Sequence, residues 1–391
     1  MNAPSSQVQP TRLRKAASTT TPVVIAIGVV LLLIGLILVL LGKNPIGAVV
    51  ELLRGALGDA SSRADVVMFA LPILLSASGL LITFSAGLWN IGIEGQITLG
   101  AIGATLLARS VTATDSPWLV LPVEILLAMI AGALWAGIAA LLRVYGNVSE
   151  IFGGVALNFI AQNILISLLN GPWKAGTYSS TAPFAVPALF PGLPSTRLSP
   201  LAIALSLIAY AIVFLILRGT HWGLQLKAMG RNPRSALLLG VRTQRNTIAA
   251  MLVCGALAGL VGAIQALFTR GKLIPDISGG IGFLGILLVL LVSLRAAWLP
   301  LIALLLAIVP VGGLKLSMAL DSSIALDSSL GNVFQSAVVL AVLLGNGIRL
   351  PLTGHRENPS SDPPDSSAQS RAVSPAPAAE SSVTTELRHG G

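Results

Sequence analysis

The chain contains 391 residues, of which 54% are hydrophobic and only 10% are charged. Soluble domains carry roughly a quarter of charged residues, so this composition excludes a soluble globular protein and predicts an integral membrane protein. The formal net charge is +9. Most of the cations lie near the N-terminus and in one loop, where membrane orientation explains them, so the charge does not indicate a nucleic-acid partner. Cys254 is the only cysteine, which excludes a disulfide framework and a cysteine-based metal site.

The two ends of the chain differ from its middle. Residues 1–21 form a basic segment that is predicted to be disordered. The apolar run at 22–42 is longer than the hydrophobic core of a typical signal peptide, and no small-residue cleavage site follows it, so we interpret it as a retained first span. The tail 351–391 is rich in Ser, Pro, Ala and Glu and is also predicted to be disordered.

Long apolar runs continue along the chain at a length that favours α-helical spans. A helix needs about 20 apolar residues to cross a membrane, whereas a β-barrel shows short alternating segments. The predicted spans are 22–42, 66–84, 91–108, 119–142, 151–169, 200–217, 247–268, 279–295, 298–314 and 332–348. We therefore expect an all-α polytopic membrane protein with about ten transmembrane helices, a transmembrane domain at 22–350, and cytoplasmic N- and C-termini. The connections 43–65 and 170–199 then fall outside.

Polar residues interrupt the apolar pattern in SAGLWNIGIEGQITLG, which covers Ser85–Gly100. Asn90, Glu94 and Gln96 stand there among glycines, and irregular backbone at membrane depth is tolerated only against protein or a water-filled cavity. An acid in such a place is a candidate for the translocation pathway. The alternative is that Asn90 caps the start of a helix and Glu94 lies in its first turn, where the helix dipole favours an acid.

A second polar set lies on the span at 151–169. Asn158 and Gln162 are four residues apart and share one face of the helix. They are predicted to line a pathway for a neutral polar solute, or else to hydrogen-bond neighbouring helices. Phe283 lies beside four glycines and is predicted either to stack on a ring-bearing solute or simply to be packed.

Small residues recur at helix-contact spacing in two of the spans. GALAG covers Gly255–Gly259, and GALWAG contains the pair Gly132 and Ala136. Small residues four apart let helices approach closely within a membrane. We therefore expect these two spans to be closely packed.

The loop at 218–246 carries only basic charges. It contains six Lys or Arg residues and no acid, which is typical of a short loop on the cytoplasmic side. Its centre, Gly223–Val241, places small and apolar residues between the cations, and we interpret it as a platform on which another protein docks. The predicted docking residues are Gly223, Lys227, Ala228, Gly230, Arg231, Asn232, Pro233, Arg234, Ala236 and Gly240.

The chain carries no motif for nucleotide or metal chemistry. The pattern G-x-x-x-x-G-K-[ST], which would cradle phosphates, is absent. The three histidines do not cluster, and no Ser/His/Asp arrangement can be proposed. We therefore predict a protein that is not an enzyme and has no cofactor and no metal site.

Four stretches of the chain carry motifs that occur together in one family of membrane proteins. Gly87–Ala101 reads GLWNIGIEGQITLGA and matches the element F-N-I-G-x-E-G-Q, with Trp89 in the usual Phe position. The loop segment Gly223–Val241 matches the element G-x-x-L-R-A-x-G-x-N-P-x-A-A-x-x-x-G-I. Two shorter matches, Gly146–Ala161 and Gly279–Ile286, occur in the family's order along the chain.

Through these motifs, residues 66–350 resemble the permease subunits of bacterial ABC importers, in the family that includes ribose-type and branched-chain amino-acid permeases. The resemblance is strongest to the subgroup that works with basic-membrane-protein lipoproteins on nucleosides or simple sugars. The chain departs from this pattern at Ser149 and Glu150, and again after Ile286, where LLVLLVSLRAAWLP replaces a small-residue run. The second departure concerns the solute rather than the class of protein.

The resemblance implies a mechanism and a set of partners. Lys227–Gly240 would be the coupling helix that inserts into a groove on a cytoplasmic ATPase subunit, with Ala228, Ala236 and Leu237 filling the groove. A second permease subunit, identical or similar, and an extracytoplasmic substrate-binding lipoprotein would complete the importer. Three alternatives stay open. The first is an ion-coupled secondary transporter that uses Glu94 as its coupling carboxylate, and the second is an ABC permease for another small polar solute such as a branched-chain amino acid. The third is a non-transporting membrane scaffold whose polar in-span residues are purely structural.

Overall fold

The computed structural model describes residues 45–319, except residues 195 and 293. Within this range the chain is helical and contains no β-strand. Four predictions lie outside the described residues, namely the disordered segment 1–21, the spans 22–42 and 332–348, and the disordered tail 351–391. The expected total of ten spans and the expected sides of the termini therefore stay predictions.

The helices follow one another along the described chain, most of them with short connections, and the longest connection lies between α5 and α6. In chain order they are α1 Pro45–Leu57, α2 Ala60–Ser85, α3 Ile93–Ala108, α4 Pro117–Val144, α5 Glu150–Asn170, α6 Pro200–Gly219, α7 His221–Arg231, α8 Pro233–Leu238, α9 Thr243–Ile264, α10 Ile281–Leu291 and α11 Leu299–Ala319. A π-helical segment, Gln265–Arg270, continues α9, and short 3₁₀ turns occur at Val186–Ala188 and Ala296–Trp298.

Each of the eight spans predicted between residues 66 and 314 overlaps one of these helices. Within the described residues, six helices have the length and apolar composition to cross a membrane, and α3 and α10 are shorter apolar helices. One helix was not predicted: α1 lies in the connection 43–65 and packs against α11. Its 13 residues and its charged side chains Glu51 and Arg54 kept it below the criterion for a span.

The helices separate into a buried centre and an exposed periphery. Most residues of α2 and α9 are buried, whereas less than a third of the apolar stretch of each of α4, α5, α6 and α11 is buried. A helix that is apolar all round belongs in the interior of a bundle. The exposed apolar surface of the other four is suited to contact with lipid or with another membrane subunit.

Close packing of α3, α4 and α9 depends on glycine. A Cβ atom added to Gly132 would lie 2.3 Å from the carbonyl oxygen of Gly255, and one added to Gly259 would lie 2.1 Å from that of Ala128. A Cβ on Gly100 would lie 2.3 Å from the Cα atom of Gly259. The prediction that the two small-residue patterns pack closely is therefore confirmed.

Candidate functional site

The polar segment Ser85–Gly100, which was predicted to contribute to the translocation pathway, contains the interruption between α2 and α3. Residues 86–92 between α2 and α3 are not helical, and Gly87 has φ +76°. The 16 residues of α3 span about 24 Å at 1.5 Å per residue, which is less than the roughly 30 Å of a bilayer core. The interruption therefore lies at or within the membrane boundary, with α2 and α9 around it.

Asn90 and Gln96 form a reciprocal amide pair inside the protein. The Nδ2 atom of Asn90 donates to Oε1 of Gln96 at 3.0 Å, and Nε2 of Gln96 donates to Oδ1 of Asn90 at 2.9 Å. Asn90 also lies 3.1 Å from Sγ of Cys254 on α9. The alternative that Asn90 caps α3 is wrong, because the capping residue is Gly92 and no side chain caps it locally.

The carboxyl group of Glu94 lies at the start of a different helix. Glu94 is in the first turn of α3, as expected, but its Oε1 atom accepts a hydrogen bond from the backbone N–H of Phe283 at 2.9 Å. The start of α10 has only Gly280 as its own capping residue, with φ +74° and no side-chain bond. Glu94 therefore supplies the acceptor that the N-terminus of α10 needs.

Asn158 caps the start of α3, as Glu94 caps the start of α10. Its Oδ1 atom accepts a hydrogen bond from the backbone N–H of Gly95 at 2.8 Å, and its Nδ2 atom donates to the carbonyl oxygen of Ile91 at 2.9 Å. Gly92 and Gly154 allow the backbones to meet here, since a Cβ on Gly154 would lie 2.6 Å from the nitrogen of Gly92. A side chain of α5 thus caps α3 while α3 caps α10.

Of the six predicted pathway residues, five surround the start of α3. Asn90, Gln96 and Glu94 are buried, whereas the Phe283 side chain is 45% exposed. Gln162 lies one helical turn beyond Asn158 and is partly exposed. Among the six, Phe283 is exposed and Gln162 and Asn158 are partly exposed, so these three reach the surface of the chain.

A second acid within a span was not singled out from the sequence. Glu124 of α4 is fully buried, and neither of its carboxyl oxygens has a hydrogen-bond partner among the described residues. No motif surrounds it in LVLPVEILLAM, so the sequence carried no signal beyond an acid in an apolar run. Burial of an unpaired carboxyl is costly, which makes Glu124 a candidate functional residue.

The basic loop folds into the two short helices α7 and α8. The Thr220 hydroxyl caps α7 by accepting from the N–H of Gly223 at 3.1 Å. Asn232 caps α8 by accepting from the N–H groups of Arg234 and Ser235 at 3.0 and 3.1 Å. Pro233 occupies the first helical position, where its missing N–H costs nothing.

The inner face of α7 is held to three other elements. Lys227 donates from its amino group to the carbonyl oxygen of Leu217, at the end of α6. The indole N–H of Trp222 donates to Asn246 of α9 at 3.2 Å. Gly230 lies against the turn before α3, where its Cβ would be 2.3 Å from the carbonyl oxygen of Ser85. The helix that was predicted to dock another protein is thus fixed to the helices around the polar site.

The exposed face of α7 and α8 differs from the expected one. Ala236, which was expected to fill a groove on a partner, is buried and offers no surface. Its place is taken by exposed leucines, with Leu238 89% and Leu239 81% exposed. Arg231 and Arg234 are exposed beside them. The resulting surface combines apolar side chains with cations outside the predicted spans.

The long connection 171–199 between α5 and α6 lines a cleft of about 400 Å³ beside the end of α3. The guanidinium of Arg109 lies 5.1 Å from the ring centroid of Trp173, and Thr181 accepts a hydrogen bond from the N–H of Leu273 at 3.0 Å. The hydrogen bond joins segment 170–199 to the connection after α9. The connection therefore has a defined structure.

The sequence of this chain matches the model of a known protein family. The family model of the branched-chain amino acid transport system permease component matches residues 62–343, which includes the polar site and both short helices. The chain belongs to this permease family. The permease is thus a multi-pass protein of the cell membrane and a transport subunit.

Curated relatives cover most of the permease. It is 30% identical to the guanosine ABC transporter permease protein NupP of Bacillus subtilis, over 80% of this chain and 90% of the relative. It is 29% identical to the glucose ABC transporter permease protein TsgB13 of Haloferax volcanii, over 79% and 83%. It is also 29% identical to the nucleoside ABC transporter permease protein NupB of Lactococcus lactis, over 66% and 74%. No solved structure matches the permease significantly.

Proposed function

We propose that this permease subunit carries a nucleoside or a simple sugar into the cell as part of an ABC importer, driven by a separate ATPase subunit. The observation that carries the proposal is the contact between α7 and the turn before α3. An ATPase bound to α7 and α8 would act directly on the helices that surround the polar site. The transporter class is that of the relatives, which are named as ABC transporter permease proteins for guanosine, nucleosides and glucose.

The exposed face of α7 and α8 is the proposed docking surface for the ATPase. Leu238 and Leu239 present apolar area that water disfavours, and Arg231 and Arg234 flank it. Buried apolar anchors with arginines that pair with acids are a common composition of protein interfaces. Among the other predicted coupling residues, Gly223 and Ala236 are buried behind this surface and Asn232 caps α8.

Movement of α7 would pass to the pathway through hydrogen-bonded helix ends. The turn at 86–92 contacts Gly230 on one side and leads directly into α3 on the other. Asn158 links the start of α3 to α5, and Glu94 links it to α10. Discontinuous helices around a central site are a common design in transporters. Rocking of the subunits would then change the access of the solute.

The proposed solute contacts are the exposed side chains next to these helix ends. The ring of Phe283 offers a flat surface to a nucleobase or to the apolar face of a sugar, and Gln162 offers a neutral hydrogen-bonding amide. Asn90, Glu94 and Asn158 would position α3 and α10 around the site. A neutral polar lining suits an uncharged hydroxylated solute.

Two further partners complete the proposal. The exposed apolar sides of α4, α5, α6 and α11 provide area for a second permease subunit, identical or similar. The cleft at Arg109 and Trp173 lies on the opposite side of the permease from α7, where a substrate-binding lipoprotein would deliver the solute. The ion-coupled alternative is not favoured, because the carboxyl of Glu94 is buried and bonded to the start of α10.

Charge reversal on the docking surface tests the coupling role. The variant Arg231→Glu/Arg234→Glu should keep its fold, because both side chains are exposed, but should lose ATP-driven uptake when reconstituted with the ATPase and the binding protein. We expect the loss to reach at least about tenfold, because opposed charges replace pairs that each contribute on the order of 1 kcal/mol. The measurement is ATP hydrolysed per labelled guanosine or glucose taken up by proteoliposomes.

The matched control is Arg242→Glu/Arg245→Glu, which reverses two exposed charges on the same loop outside α7 and α8. It should retain more of the coupling. Equal losses in both variants would show a general charge effect and contradict docking by α7 and α8. Uptake sustained by an ion gradient without ATP would overturn the proposed class of transport.

A further inference from the structure

A cleft of about 360 Å³ lies where the ends of three elements meet. The end of α6 contributes Phe214 and Arg218, α7 contributes Lys227, and the connection from α10 to α11 contributes Arg295 and Trp298. The coupling proposal places the ATPase on the outer face of α7 and α8 and leaves this cleft without a ligand.

The lining of the cleft is basic, and no acidic residue in it neutralises this charge. Arg218, Lys227 and Arg295 all line it, and no acidic residue does. Within the described part of the chain, none of these three cations forms an ion pair. Lys227 bonds the carbonyl oxygen of Leu217 and Arg218 lies 5.6 Å from the ring centroid of Phe214, so both are held in place while keeping their charge.

The cleft also lies at a membrane boundary. The candidate span Pro200–Gly219 ends at it and the candidate span Ala296–Lys315 begins at it. Trp298 is 53% exposed at its edge. The hydroxyl of Tyr210 donates to the carbonyl oxygen of Ala296 at 3.1 Å and fixes the turn that carries Trp298. Aromatic side chains of this kind concentrate at the level of lipid headgroups.

We propose that this cleft binds the phosphate headgroup of an anionic phospholipid, with the acyl chains lying along α6 and α11 beside Trp298. Three cations that line one cleft match the charge of a phosphodiester. The apolar rim matches the glycerol and the first methylene groups of the chains. Basic pockets between transmembrane helices are a recognised way of binding acidic lipids. The cytoplasmic leaflet is assigned to this lipid only through the proposed orientation of the basic loop.

A quenching experiment on the full-length permease tests the proposal without other subunits. The permease is placed in phosphatidylcholine nanodiscs that contain increasing fractions of brominated phosphatidylglycerol, and tryptophan fluorescence is recorded. The contribution of Trp298 is the difference between the wild type and Trp298→Phe. Brominated phosphatidylcholine serves as the neutral probe. We expect half-maximal quenching of Trp298 at a clearly lower fraction of phosphatidylglycerol than of phosphatidylcholine.

Paired variants test whether the cleft is the source of this preference. Arg218→Gln/Arg295→Gln should weaken the preference by about fivefold for each cation removed. Arg242→Gln/Arg245→Gln removes two exposed charges of the basic loop 218–246 that lie outside the cleft. This variant should retain the preference. Equal loss in the two pairs would attribute it to general surface charge and overturn the site.

The wild-type comparison decides the proposal even if a variant folds poorly. Equal quenching by both lipids would overturn the anionic-lipid site. Added inorganic phosphate at millimolar concentration should leave the lipid quenching unchanged. Displacement of the lipid by phosphate would assign the cleft to a soluble phosphate and also overturn the proposal.

Discussion

At the scale of single residues, Glu94 and Asn158 act on helices other than their own. Glu94 belongs to α3 but accepts from the backbone of α10, and Asn158 belongs to α5 but bonds the start of α3. A helix that begins among glycines leaves its first N–H groups without partners. Within a membrane no water is available to satisfy them, so a neighbouring side chain must do so. The same residues that interrupt the apolar pattern therefore make the interrupted helices stable.

Substitutions at Glu94 separate its capping role from a role for its charge. Glu94→Ala removes the acceptor and should cost about 1–3 kcal/mol, because the N–H of Phe283 is left unpaired. Glu94→Gln keeps an oxygen acceptor and should retain most of this stability. The measurement is the fraction of detergent-solubilised permease that stays monodisperse after heating, followed by uptake in proteoliposomes.

The two variants are each other's control. Comparable thermal stability of Glu94→Ala and the wild type would contradict the capping role. A stable Glu94→Gln variant that no longer transports would show that the charge itself serves the pathway.

At the scale of elements, α7 is a helix that is attached to three other parts of the chain. It bonds α6 through Lys227 and α9 through Trp222, and Gly230 brings it into backbone contact with the turn before α3. An element held at three points moves as one body. A small displacement of α7 would then be transmitted to the turn before α3, which is the physical basis of the proposed coupling.

A methyl group at Gly230 should disturb this contact. In Gly230→Ala the new Cβ would lie 2.3 Å from the carbonyl oxygen of Ser85, so either α7 or the turn has to shift. Such overpacking costs about 1–3 kcal/mol. We expect fewer solute molecules transported per ATP hydrolysed in proteoliposomes that also contain the ATPase.

The control for this substitution is Gly219→Ala, because a Cβ at Gly219 meets no atom within 4 Å. It should behave like the wild type. A wild-type coupling ratio in Gly230→Ala would show that the contact does not transmit movement.

At the scale of the whole molecule, the arrangement of charge and exposure implies an orientation. The basic helices α7 and α8 lie at one end of the spans and the cleft near Trp173 lies at the other. Short basic loops stay on the cytoplasmic side. The ATPase would then meet α7 and α8 inside, and the binding lipoprotein would meet the opposite end outside.

Labelling of introduced cysteines tests this orientation. The native Cys254 is buried, so an impermeant maleimide should label the wild type poorly. Tyr178 is 82% exposed, and Tyr178→Cys should be labelled in intact cells. Ser235→Cys should be labelled only after the cells are permeabilised. Labelling of Ser235→Cys in intact cells would invert the orientation and exclude docking of a cytoplasmic ATPase on α8.

Several features follow from local sequence because they depend on local physics. Eight spans were predicted where the structure has helices, since the cost of burying polar groups in lipid makes long apolar runs helical. The segment around Glu94 was recognised because polar residues and glycines stand out against apolar neighbours. The close packing at Gly132 and Gly259 was predicted because helix contact at small residues has a fixed spacing. The boundaries of α7 and α8 were not predicted, although Thr220 and Asn232 are ordinary capping residues.

By itself, the sequence determined that the chain is a helical membrane protein of the permease family with a basic segment between spans. Only the tertiary structure decided which distant groups meet. Asn90 and Cys254 are 164 residues apart, and Glu94 and Phe283 are 189 apart. It also decided that Ala236 faces inward while Leu238 and Leu239 face out. Apolar periodicity reports how a residue relates to its own helix, whereas caps, clefts and docking faces depend on which helices become neighbours.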